Sequence, residues 1–123
     1  MFSHSFYNVV HIVGLILLLA GLGGIATMSR VPQRDPAIRR VHLAFHGLGT
    51  FLILLGGFGM LARLGIVHGT AWPAWVWAKV GIWAVLGAGA FLPFRFPRTA
   101  LPIMVLSPVL GGLAAYMAIY KPF

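Results

Sequence analysis

The chain contains no cysteine and only one acidic residue, Asp35, in 123 positions. Without cysteine there is no disulfide, no thiolate metal site and no cysteine nucleophile, and the redox compartment stays undetermined. A membrane-embedded carboxylate, which proton-coupled exporters use, is also missing, because Asp35 lies in a proline-bearing connection. Charge is scarce altogether, at 8% of residues. Nothing in the pattern points to a flavin or nicotinamide site. No internal repeat with a period of about 20 to 50 residues is visible.

What remains is apolar: 60% of the residues are hydrophobic and mean hydropathy is +0.96, a balance that a soluble domain of this size could not hide from water. The stretch from Phe6 to Met28 is almost uninterruptedly apolar, and a run of about 20 such residues crosses a bilayer as one helix. Further runs extend from about Val41 to Ala62, Trp75 to Phe94 and Leu101 to Tyr120. The expected fold is therefore all-α, a transmembrane four-helix bundle forming a single membrane domain over residues 1–123. No Lys or Arg precedes the first run, and the run exceeds a usual signal-peptide core, so a cleaved signal is not expected. Proline and charge end the spans: SRVPQRDPAIRR separates the first two, and a glycine-bearing stretch ending in Trp72, Trp75 and Trp77 precedes the third.

The formal charge of +8 is a topological signal in such a protein and does not point to nucleic acid. Arg30, Arg34, Arg39 and Arg40 in the first connection join Arg95 and Arg98 in the third, against Arg63 and Lys121 on the other side. The positive-inside rule makes the first and third connections cytoplasmic. Both termini then lie on the non-cytoplasmic side of a bacterial inner membrane. His11 and Lys79 share the outer leaflet, and His42 and His46 lie near the inner one.

An ionisable residue inside lipid has to face other helices and find a partner. His11 can ligate a metal, relay a proton or hydrogen-bond a neighbouring helix. Lys79 can snorkel or pair with an anionic ligand group such as a propionate, since no span carries an acid. His42 and His46 are one turn apart, the spacing of a two-imidazole metal site, but with no cysteine, no carboxylate nearer than Asp35 and His42 at the water boundary a structural or headgroup-facing role is favoured over ligation. His4 and His68 fall on the terminus and the outer connection. Tyr7, Tyr116 and Tyr120 fall at the outer interface. Gly47, Gly49, Gly56, Gly57 and Gly59, with small residues four apart at Ala84 and Ala88, Gly111 and Ala115, and Ala114 and Ala118, allow close approach of helices within the bundle or in a homodimer, or leave room for a flat cofactor.

A first span opening as HIVGLILLLAGL, a third opening as WVWAKVGIW and a chain ending in YKPF together resemble the small HemJ-type protoporphyrinogen oxidases and related membrane proteins that bind b-type haem. The resemblance runs the length of the chain in helix count and motif order. It implies a haem b cofactor, with His11 as axial ligand or catalytic residue and Lys79 as its functional partner. Lys79 with Arg63 or His68 would then neutralise propionates, and His46, at a different depth, would reach iron only if the cofactor lay across a dimer interface or the topology were inverted. The family's tryptophan-bearing first helix and the acidic residue before its last helix are absent here. Their absence bears on oxidase activity more than on haem binding.

Two other classes stay open. A small dimeric channel or transporter would line a wetted path with Thr50, Ser107 or Tyr116 and the GGFGM segment. A non-catalytic scaffold subunit would use the same glycines to bind another membrane protein.

Overall fold

The computed structural model describes residues 2–33, 35–66 and 72–121. Side chains that accept backbone N–H groups open the first two helices, α1 (His4–Met28) and α2 (Pro36–Arg63). Ser3 Oγ accepts from Phe6 N at 3.1 Å, and Asp35 Oδ1 accepts from Ala37 N at 2.9 Å, each satisfying an otherwise orphaned donor. Asp35 is followed by Pro36 at the first helical position, where proline needs no N–H. That cap explains why α2 begins a full turn before the apolar run at Val41 and carries Arg39 and Arg40 on the helix. After α2 the chain turns through Gly65 at φ +78°, a left-handed backbone suited to glycine.

The third span, Ala74–Arg95, is not one regular helix. It runs as α3 (Ala74–Ala88), tightens to a 3₁₀ turn over Gly89–Phe91 and finishes as the short α4 (Leu92–Arg95). Pro93 cannot donate to the carbonyl four residues before it, Gly89, which accounts for the change of pitch there. A second 3₁₀ turn, Pro97–Thr99, leads into α5 (Ala100–Tyr120). Pro108 lies inside α5, as membrane helices allow. Among the described residues there is no strand, and four helices are long and apolar enough to cross a membrane.

Glycine holds the first hairpin together. Gly14 on α1 meets Gly49 on α2, Gly21 on α1 meets the α2 backbone at His42 and His46, and Gly56 on α2 meets the α1 backbone at Tyr7 and His11; the glycines of each helix are spaced seven residues apart, the repeat that keeps one seam in register. A Cβ on Gly14 would lie 2.7 Å from Ile53 N, one on Gly21 2.5 Å from His46 N, and one on Gly56 2.6 Å from His11 N. The two backbones therefore pack with no side chain between them. In lipid, where no hydrophobic force presses helices together, such contact is the main source of association.

α5 packs on α1 and α3, so the second hairpin, α3 to α5, leans on the first through α1. The buried core lies where α1 meets the end of the third span: Leu18, Leu22 and Ile25 pack with Leu86 and Ala90. The arginine-bearing connections meet at that end. Arg30 Nη1 donates to Pro97 O at 3.3 Å, and the Arg39 guanidinium sits 4.5 Å from the centroid of the Phe94 ring. Large apolar side chains such as Ile16, Val85, Leu101 and Val109 are exposed around the outside, as expected of a surface solvated by acyl chains.

Candidate functional site

The two hairpins touch through α1 at the arginine end, and toward the other end the Phe58 ring of α2 lies 5.5 Å from the Trp72 ring that precedes α3. Halfway along, two hydrogen bonds tie α2 to α3. His46 Nε2 donates to Leu86 O at 3.1 Å, and Trp83 Nε1 donates to Thr50 O at 3.0 Å. Beyond this latch lies a cavity of about 350 Å³ walled by α1, α2, α3 and α5. Its volume falls in the range of about 300 to 1,000 Å³ usual for small-molecule sites.

Each wall is a helix stripe at three- and four-residue spacing. His4, Asn8, His11 and Leu15 come from α1; Trp75, Lys79 and Trp83 from α3; Gly111, Ala114 and Ala118 from α5. α2 contributes Ile53, Gly57, Leu61 and the residues beside them. The polar groups are few and converge on a mainly apolar enclosure.

His11 is fixed by the main chain. Its Nδ1 lies 2.8 Å from the carbonyl oxygen of Ile53. A carbonyl only accepts, so Nδ1 carries the hydrogen, and in the neutral ring Nε2 keeps its lone pair. Gly56 lets the α1 backbone come close enough for this bond, and Gly57, four residues after Ile53, places no side chain against the ring. A ring held through one nitrogen and free at the other is the usual arrangement of a histidine that ligates a metal.

Lys79 lines the same cavity and is half-buried. One turn before it is Trp75, whose ring centroid is 5.6 Å from Lys121 Nζ. Lys121, in a left-handed conformation that ends α5, also lines the cavity. Two ammonium groups thus serve one enclosure. The only acidic side chain of the chain, Asp35, caps α2 at the opposite end.

The remaining sequence candidates lie elsewhere. His46 is buried behind the latch, with Nε2 committed to Leu86. His42, one turn away, turns to α1 instead: its ring packs on Gly24, and its buried Nδ1 has no partner among the described residues. Among the described residues, no three His, Cys, Asp or Glu side chains gather as a metal-binding group. Arg63 closes α2 on the exposed side and does not line the cavity, and His68 lies outside the described residues. Thr50, Ser107 and Tyr116, the polar residues expected along a wetted path, do not line it either.

Asn8, Trp83 and Lys121 escape a reading of composition, and nothing there separates Gly57 from the other glycines of α2 that could leave room for a cofactor. Their signal was spacing, since each falls in register with His11 or Lys79, or on the facing stripe of α2 or α5. Gly111, Ala114 and Ala118 likewise border open space rather than serving only as a contact between helices.

No protein-family model, no curated protein and no solved structure matches the chain. Function has to be read from the residues themselves.

Proposed function

We propose that this chain is a multi-pass membrane protein that binds haem b in the cavity between its hairpins, with His11 Nε2 as iron ligand. The observation that carries the proposal is the tethered imidazole. His11 lines an apolar enclosure with one nitrogen held by Ile53 and the other available. Haem iron needs one or two axial ligands rather than the three or four of a structural zinc site, which suits a cavity lined by two histidines, His4 and the tethered His11.

Lys79 and Lys121 serve as counter-ions for the two propionates, because neither has an acidic side chain nearby. Bound there, haem would supply one-electron redox chemistry. The protein's own part is to orient the imidazole, exclude water with Leu15, Ile53 and Leu86, and neutralise the carboxylates. Protoporphyrinogen oxidation is the activity that the sequence resemblance implies, with His11 and Lys79 at its centre.

The arginine-rich end supports a cytoplasmic assignment for the first and third connections, which puts the cavity mouth and both termini on the non-cytoplasmic side of a bacterial inner membrane. Gly47, Gly81 and Gly112 are exposed and have nothing within reach of an added Cβ. Each is a point, on α2, α3 or α5, at which a helix of a second copy could approach closely in a homodimer.

Titration of haem into the detergent-purified chain tests the proposal. The Soret band should sharpen and shift until one haem per chain is bound, and His11→Ala should abolish the change. An unchanged free-haem spectrum with the wild-type chain would refute it.

A further inference from the structure

The glycines of α2 divide by what a side chain would meet. At Gly49 and Gly56 an added Cβ would run into the α1 backbone, and at Gly59 into the Tyr7 ring. Those three are required by the packing of the hairpin. Gly57 differs. A Cβ there would lie 3.5 Å from His11 Cε1 and 3.6 Å from His11 Nδ1, ordinary van der Waals distances, and nothing else comes within 4 Å. Gly57 lines the cavity, and packing would accept alanine in its place. Helix propensity would favour alanine too.

We infer that Gly57 is the size-determining position of the cavity: by carrying no side chain it keeps a slot open beside His11, through which a flat ligand can lie against the imidazole. The inference deepens the proposed haem site and rests on it for the nature of the ligand. Gly57 on α2 and Gly111 on α5 both line the cavity, and both have space for a methyl group. A Cβ on Gly111 would lie 3.6 Å from the Leu15 and Leu19 methyls. The large Trp83 indole on α3 is instead held in place by its bond to Thr50. A methyl group at 57 would touch only the Nδ1–Cε1 edge of the ring. A longer side chain would grow past that edge and cover Nε2. Binding should therefore tolerate alanine and fail stepwise with valine, leucine and phenylalanine.

Two readouts on the purified full chain test this separately from the haem assignment. The first is acylation of His11 by diethyl pyrocarbonate, followed by mass spectrometry, with the exposed His4 as internal reference. The second is haem affinity from absorbance titration. Gly57→Ala should keep both close to wild type. Gly57→Leu and Gly57→Phe should slow His11 acylation while leaving His4 unchanged, and should weaken haem binding at least about tenfold, the scale of a few misplaced methylenes in an apolar pocket. Thermal melting identifies variants that fold, and Gly57→Val carries the comparison if the larger ones do not. If folded Gly57→Leu acylates His11 at the wild-type rate, or binds haem as tightly as wild type, the inference is overturned while the haem reading stands. If acylation is blocked but the wild-type chain binds no haem, the slot is real and the haem reading is what falls.

Discussion

His11 on α1 donates its Nδ1 hydrogen to the carbonyl of Ile53 on α2, 2.8 Å away, and that bond decides which nitrogen keeps its lone pair. It exists because Gly56 lets the α1 backbone come against α2 where the two helices cross. Helix packing and site chemistry are therefore the same feature seen twice: the glycine seam that joins the first hairpin also sets the tautomer of its histidine.

The seam predicts a sharp difference among glycines. Gly21→Ala puts a methyl group 2.5 Å from His46 N and should destabilise the protein by about 1–3 kcal/mol, as overpacking does. Gly47→Ala meets nothing within 4 Å and should change stability by no more than about 0.5 kcal/mol. Thermal melting of the two variants in one detergent checks this. Equal effects would mean that the hairpins do not meet along that seam.

The latch between α2 and α3 should matter to stability and not to ligation. His46→Leu leaves the buried Leu86 carbonyl without its side-chain donor and should cost about 1–3 kcal/mol. The haem spectrum of the folded variant should match that of wild type. A lost or shifted Soret band in His46→Leu would make His46 an iron ligand and move the site inward.

Lys79 should act through charge. Lys79→Gln is expected to weaken haem binding by about tenfold or more, on the scale of about 1.5–3 kcal/mol for a hydrogen bond to a charged group. The same variant should bind haem dimethyl ester, whose propionates are neutral, as well as wild type does. If the ester shows the same loss, Lys79 contributes by packing and not as a counter-ion.

Much of this architecture was legible in the sequence and some of the site was not, for physical reasons. Long apolar runs and clustered arginines gave the four spans and their ends, because lipid permits few alternatives. α2 begins ahead of its apolar run, because Asp35 and Pro36 nucleate a helix through charged residues that carry no hydropathy signal. The break at Gly89 was hidden for a similar reason, as Pro93 lies in an apolar stretch. His11 and Lys79 stood out as costly residues in a membrane, and the structure brings them to one cavity. Gly14 and Gly21 drew no attention within an aliphatic run. Only their contact with the α2 backbone, Gly14 at Gly49 and Gly21 at His42 and His46, reveals what they do, and that is a property of the folded pair. Lys121 looked like a terminal charge until the end of α5 carried it over Trp75.

Orientation is open to a direct check. A phosphatase reporter that is active only outside the cytoplasm, fused after Phe123, should be active, and one fused in the first connection should be silent. The reverse pattern would turn the cavity mouth toward the cytoplasm.

The central claim is that one tethered imidazole holds the cofactor, and its most direct test is the reduced-minus-oxidised absorbance spectrum of the chain purified from haem-replete cells, compared with His11→Ala and His46→Ala. The account predicts b-type bands in wild type and in His46→Ala and none in folded His11→Ala. A colourless wild-type protein, or full bands in His11→Ala, would contradict it.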